Sequence, residues 1–436
     1  MARTHWADSI HGMDATSSDL DAGLLVQEYP APRRSLRVAF VTETYPPEVN
    51  GVAMTLAHLV QGLHKRNHDV QLIRPRQPGS DACGTSERFH EVLMRGLPVP
   101  RYPSLRMGVP SKRALVRLWS FHRPDIVHIA TEGPLGWSAL KACEHLKLPV
   151  TSDFRTNFHA YSQHYGVGWL RKPIMAYLRK FHNAGRRTFV PTDDLRQELA
   201  DCGFQRLRVV SRGVDTEMFN PLRRDPGLRL SWGLGPEGLA VLYMGRLAAE
   251  KNLELLVRAF DALAQQVPDA RMVLVGNGPM RHPLQLKRPQ FHFAGQRSGE
   301  DLARHVASAD LFLFPSLSET FGNVVTESMA SGVPVVAFDH AAAGQLIRSG
   351  VNGQSVPRLD EPGFIRAVVE AAQDRQRLAR WGQQARRTVE PLGWPDIVQR
   401  FEAELREALD HPLPPGEESR RPAHDGQALA HNGPCA

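Results

Sequence analysis

At 436 residues the chain is too long for a single hydrophobic core, so two domains are expected. Hydrophobic residues make up 42% and charged residues 23%, the balance of an ordinary soluble protein, and no apolar run reaches the ~18 residues that would span a bilayer. Lys and Arg exceed Asp and Glu by 53 − 46 = 7, which suits phosphorylated ligands or an anionic membrane surface and equally a merely arginine-rich surface; nucleic-acid binding has no motif to support it.

Residues 1–35 carry Asp8, Asp14, Asp19, Asp21 and Glu28 without a long apolar core, so they read as a flexible leader and not as a signal peptide. The first strand is expected at Leu36–Val41. A loop to Asn50-Gly51 follows, then an amphipathic helix with Val52, Leu56, Leu59, Val60 and Leu63 at helical spacing. Further strands are expected at Val70–Ile73, Pro124–Ala130 and Leu148–Asp153, with a helix running through Ala142. The stretch from Arg208 to Pro236, with its Gly, Pro and Arg, reads as a linker. A second series then begins: strands at Leu239–Met244, Arg271–Val275, Phe291–Gly295, 311–314 and 333–338, with a helix over Leu253–Gln266. Trp394–Ala408 reads as an amphipathic helix, and the residues from His411 read as disordered. Strands alternating with helices predict α/β architecture with parallel sheets covered on both faces. Two such units leave a cleft suited to a small ligand.

The densest chemistry lies between a strand and a short helix, at Ser318-Glu319-Thr320-Phe321-Gly322-Asn323-Val324-Val325-Thr326-Glu327. Glu319 and Glu327 stand eight positions apart at the expected carboxyl edge of a parallel sheet, where carboxylates accept hydrogen bonds from vicinal hydroxyls. Gly322 permits close backbone approach, and free N–H groups at the next helix start favour oxygen acceptors. The bland alternative is a loop carboxylate and a solvated helix residue. Upstream, Gly245-Arg246 and Lys251 flank a strand-to-helix turn where a diphosphate would lie against the helix start; the alternative there is a surface cap. Gly276, in Gly276-Asn277-Gly278, allows close approach to a base or ribose, or simply a tight turn; the third glycine of a dinucleotide fingerprint is missing. No P-loop sequence occurs. In the first half, Gly51 stands where its backbone N–H meets a phosphate across the cleft, or merely starts a helix. His159 or Arg155, in Phe154-Arg155-Thr156-Asn157-Phe158-His159, stands as a candidate to face the reacting sugar, against the structural role of most lone histidines.

Two clusters join basic and apolar residues, as on membrane-surface faces or solvated ones. One holds Arg95, Arg101, Arg106, Lys112, Arg113 and Arg117 with Leu97, Tyr102, Leu105, Met107 and Trp119; the other runs from Trp169 to Lys180. The four cysteines, Cys83, Cys143, Cys202 and Cys435, form no C-x-x-C pair, no His/Cys cluster has zinc spacing, and the lone Asp19-Leu20-Asp21 lies in the leader. A reducing compartment is the expectation, with no metal site.

These residues together resemble family 4 of the retaining glycosyltransferases. The markers are Asn50-Gly51-Val52, Ser211-Arg212-Gly213-Val214-Asp215, Gly245-Arg246 with Lys251, and Glu319 with Glu327, over about residues 36–410. The resemblance implies the GT-B fold: two Rossmann-like domains facing a central cleft. The expected boundaries are an acceptor domain at 36–212, a nucleotide-sugar donor domain at 213–390, a crossover helix at 391–410 returning to the first domain, and a tail at 411–436. It implies that Arg246 and Lys251 hold the donor diphosphate, that Glu319 and the backbone near Phe321, Gly322, Asn323 and Val324 meet the donor sugar, and that Glu327 binds the ribose. Arg155 stands where the family often has His. Ala341-Ala342-Ala343-Gly344-Gln345 stands where it often has Gly-Gly and a nearby Glu.

The phrases Thr42–Pro47 and Thr131–Gly136 are similar to bacterial mannosyl- and glycolipid-forming members, which favours GDP-mannose over a UDP-hexose. The expected activity is retaining, metal-independent hexosyl transfer with no cofactor beyond the donor. The expected acceptor is a hydroxyl on a lipid or glycan, and the expected place the cytoplasm or the inner face of an anionic membrane. The rivals are a nucleotide-sugar epimerase and a non-catalytic nucleotide-sugar or glycan binding protein.

Overall fold

The computed structural model describes residues 34–48, 50–77, 84–99, 102–155, 171–317 and 319–411. The leader before residue 34, His159, the Trp169 end of the second basic cluster and the tail beyond residue 411 lie outside them.

Sixteen strands are described: β1 (Arg37–Val41), β2 (Asp69–Pro75), β3 (Thr85–Ser86), β4 (Phe89–Met94), β5 (Gly96–Val99), β6 (Tyr102–Gly108), β7 (Ile126–Ile129), β8 (Val150–Asp153), β9 (Arg187–Val190), β10 (Leu207–Val209), β11 (Leu239–Met244), β12 (Ala270–Val275), β13 (His292–Gly295), β14 (Leu311–Phe314), β15 (Val335–Phe338) and β16 (Gly353–Val356). The first sheet runs β10-β9-β8-β7-β1-β2-β4-β3, and the second β13-β12-β11-β14-β15-β16. All pairings in the second sheet are parallel, as are those of the first apart from the short β3 against β4. Their composition explains this. All six residues of β11 and all four of β14 are buried, so both faces need cover, and helices supply it.

In each sheet the strand order reverses beside its first strand, between β1 and β7 and between β11 and β14. Loops leaving such strands diverge and open a crevice, where ligands bind in doubly wound folds. Glu43 and Glu132 follow the first pair; Arg246 and Glu319 follow the second.

Strands 3 to 6, 9, 10 and 16 are absent from the sequence expectation. Their alternation is weak: β4 is only part-buried along its length. The expected linker from Arg208 to Pro236 is also more ordered than its composition suggested. It contains the end of β10, a 3₁₀ turn at Pro221–Arg223 and a helix at Pro226–Ser231. Arg229 is buried there, donating to Ser308 O (2.8 Å), Gly238 O (2.7 Å) and Asp310 Oδ2 (2.9 Å). A guanidinium with five donors can tie two carbonyls and a carboxylate at once, so an arginine-rich stretch becomes a clasp on the second sheet.

The helix Trp394–Asp410 returns to the first sheet. Phe401 stacks near Phe40 and edges onto Phe189 and His128, while Trp394 lies flat on His58 at 4.2 Å. Glu402 takes Arg66 at 2.6 Å, and Arg186 donates to Ala408 O at 2.9 Å. At Gly62 a Cβ would lie 2.4 Å from Val398 Cγ2. Gly62→Ala is therefore expected to cost about 1–3 kcal/mol by overpacking this helix pair, read as a lower urea midpoint at unchanged m-value.

Of the first basic cluster, Trp119 is wholly buried and belongs to the core, while Leu97 lies on the surface. From the second cluster the ammonium group of Lys180 sits 5.9 Å from the Trp137 ring, and Lys141, outside the cluster, sits 5.1 Å from the same ring. Among the described residues no helix is long and apolar enough to cross a membrane. Cys143 is a buried free thiol, whereas Cys202 is disulfide-bonded, so cysteine usage does not by itself place the chain in a reducing compartment.

Candidate active site

One half of the candidate site is built at the β11/β14 switch point. β11 ends at Met244, and Gly245 follows with φ 148°. The buried Tyr243 hydroxyl donates to Arg246 O at 3.1 Å and pins the turn. Beneath it a Cβ at Gly276 would meet Gly245 O at 1.9 Å, and one at Gly278 would meet Leu247 O at 2.3 Å. Gly276 thus lets one loop support the other from below; this packing need is enough to require glycine. The chain then makes a 3₁₀ turn over Ala249–Lys251 before the helix at Leu253–Gln266. Lys251 Nζ donates to Glu319 Oε1, which also accepts Ser316 Oγ at 2.8 Å. Arg246 is half exposed and lies 3.4 Å from Glu250 Oε1. Residues 68 positions apart, from either side of the switch point, therefore share one site.

After Glu319 the chain passes the buried Phe321, whose carbonyl accepts Ala342 N at 2.8 Å, and turns at Gly322 (φ 87°) into the helix Asn323–Ala330. No side chain caps that helix, so its first N–H groups face the crevice uncapped. Val324 lies in this first turn. Glu327 follows one turn later, and its carboxylate has no hydrogen bond or ion pair among the described residues. Burial pushes its pKa up to about 7.

The opposing half comes from the first domain. Asn50 caps its helix through Oδ1 to Val52 N (3.1 Å) and Ala53 N (2.9 Å). A Cβ on Gly51 would stand 2.8 Å from Arg212 Nη1 and 3.9 Å from Asn323 Nδ2. The structure thus brings Gly51 to the start of the helix Asn323–Ala330. Arg155 does not stand free: its Nε donates to Asp153 Oδ2 at 2.5 Å, and His128 Nε2 lies 3.3 Å from the same oxygen. Burial alone would raise the Asp153 pKa; Arg155 and His128 outweigh it and hold the carboxyl low.

Sequence reasoning passed over Arg212, Asp153, His128 and Glu43. Glu43 accepts the N–H groups of Gly108 and, at 2.8 Å, Leu135, fastening the β5–β6 hairpin to the sheet edge, while burial pushes its pKa up. Arg212 sat in a quoted phrase, but only the fold shows what it faces. Beside Glu43, a cavity of about 310 Å³ opens between Glu132, Pro134, Trp137 and Tyr177.

Two Rossmann-like units with a cation-and-carboxylate crevice at a switch point define a GT-B glycosyltransferase. Residues 49–218 match the model described as Glycosyltransferase Family 4, and residues 238–374 that of Glycosyl transferases group 1. A GDP-mannose-dependent alpha-mannosyltransferase from Mycolicibacterium smegmatis is 34% identical over 383 residues, 85% of this chain and 98% of that protein. The sulfoquinovosyl transferase SQD2 of Arabidopsis thaliana is 29% identical over 86% of this chain and 74% of its own. The crystal structure of Anabaena HepE in complex with UDP and glucose superposes with a TM-score of 0.63 at 18% identity, covering 85% of this chain and 99% of HepE. The chain belongs to glycosyltransferase family 4.

Proposed function

We propose that this transferase moves mannose from GDP-mannose, with retention and without a metal, onto a hydroxyl of a lipid or glycan. The observation that carries the reading is the meeting of Lys251 and Glu319 beside Arg246 at the β11/β14 switch point. In this reading the acceptor oxygen bonds to the anomeric carbon on the face the diphosphate leaves. The carbon–oxygen bond to the phosphate breaks, and the acceptor proton passes to a departing phosphate oxygen. Arg246 and Lys251 meet the charge that develops there, Glu319 holds the sugar, and the uncapped amides from Phe321 to Val324 supply further donors. Glu327 takes the ribose hydroxyls. The 34% identity to a GDP-mannose-dependent enzyme supports the choice of donor.

Screening GDP-mannose, UDP-glucose, UDP-GlcNAc and UDP-galactose by thermal shift tests it. GDP-mannose is expected to raise the melting temperature most, since a ligand at a hundredfold excess over its Kd adds about 2.7 kcal/mol. A UDP-sugar raising it more would overturn the donor assignment. Turnover is expected to persist unchanged in excess EDTA; its loss, restored by a divalent ion, would refute the metal-free scheme. A changed sugar appearing without any acceptor would point to an epimerase.

On the acceptor side, the cavity at Trp137 and Tyr177 and the lysines beside that ring fit an acceptor at an anionic membrane on the cytoplasmic face. Co-sedimentation with phosphatidylglycerol vesicles, set against phosphatidylcholine, tests this part: equal pelleting with both removes the electrostatic contribution.

A further inference from the structure

Among the described residues Arg212 is a buried cation without a carboxylate partner. It is 6% exposed, and its described bonds are to neutral oxygens: Nη1 to Asn323 Oδ1 at 3.3 Å and Nη2 to Arg155 O at 3.5 Å. Its Nε is buried and has no partner among the described residues. The neighbouring cations differ. Arg155 is neutralised by Asp153, Lys251 by Glu319, and Arg246 lies half in solvent near Glu250. A buried charge is costly unless something of opposite sign meets it. Here burial first, then the charge of Arg155, lowers the pKa of Arg212 to about 9, against the weaker pull of Asp153 and Glu319. Such an arrangement is retained at a cost in stability, which argues for an anion that completes it.

The place specifies the anion. Arg212 lies where the starts of two helices converge, one at Gly51 in the first domain and one at Asn323 in the second. The second start has no side-chain cap. Both present the positive end of a helix, and neither domain alone contains the whole arrangement. Resting on the donor reading above, we propose that Arg212 is a diphosphate-binding residue, a third cation that meets the donor's phosphates between the two domains. A guanidinium suits the role because it keeps bonds to Arg155 O and Asn323 while presenting its remaining donors to phosphate oxygens. It also joins the acceptor domain to the donor helix, so a bound diphosphate would draw both onto one charge.

Calorimetric titration of the full-length protein with GDP and with guanosine separates phosphate recognition from base recognition; UDP and uridine replace them if uracil proves to be the base. The wild type is expected to bind the diphosphate far more tightly than the nucleoside. Arg212→Met is expected to weaken the diphosphate about 30-fold, the loss of a charge-assisted contact, and to leave the nucleoside unchanged. Should Arg212→Met fail to fold, Arg212→Gln, uncharged and still able to bond Asn323, carries the same comparison. A variant that keeps the wild-type ratio between diphosphate and nucleoside, even with a lowered melting temperature, shows a structural strut and overturns the inference alone. A wild type that holds the diphosphate no better than the nucleoside overturns the donor reading together with it.

Discussion

Lys251→Ala is expected to lower kcat/KM by about 10³-fold, the upper end for removing one preorganised group from a developing anion. Two effects add. The departing diphosphate loses an ammonium held at a fixed place, and Glu319 loses its only ion pair among the described residues, leaving Ser316 as its partner. Glu319 then relaxes, so the sugar is held less well. Because both groups act on one ligand, Glu319→Ala and the double variant should fall far short of additivity. Arg246→Ala is expected to cost less, about 10²-fold, because its side chain stands half in solvent. Steady-state kinetics with each variant, at matched melting temperature, checks the order. A Lys251→Ala enzyme within a few-fold of wild type would sink the leaving-group scheme.

Glu327→Gln should change stability and donor binding in opposite directions. The native carboxyl has a pKa of about 7, raised by burial from the 4.5 of an ordinary glutamate. The folded state therefore holds a proton that the unfolded chain releases between those values, and stability falls as pH rises from about 4.5 to 7. Removing the carboxyl relieves that cost. At pH 8 Glu327→Gln should gain about 3 kcal/mol, and at pH 4 nothing, as denaturant midpoints would show. Donor affinity moves the other way. Two ribose hydroxyls bond best to the ionised form, so the variant should bind the sugar nucleotide about 10²-fold more weakly at pH 8. Wild-type affinity should rise about tenfold from pH 6 to 8, as the competent fraction grows, and stay flat in the variant. The donor has no phosphate monoester to titrate in that range, so the slope belongs to the protein. A pH-independent wild-type affinity would remove Glu327 from the ribose.

Much of the second sheet and its loops was legible in the sequence. Apolar runs of four to six residues set β11, β12 and β14, and the helix Leu253–Gln266 has the bounds its periodicity implied. Glycine at 245 and 322 marked turns that need φ beyond the range of other residues. That Arg246, Lys251 and Glu319 stand at one sheet edge was legible because each follows a strand end, where a parallel sheet places its ligand-facing loops. These are local properties, carried by spacing and residue type within a dozen positions.

The amino-acid order by itself thus determined the fold class, the glycosyltransferase family and which polar residues stand at the second sheet's edge. Tertiary structure alone decided which charges are compensated. Lys251 meets Glu319 across 68 positions, Arg155 is spent on Asp153, and Arg212 crosses 111 positions to reach Asn323 with no acid among the described residues to neutralise it. The energy of a charge depends on the dielectric and partners around it, and both are fixed only when distant strands are laid side by side.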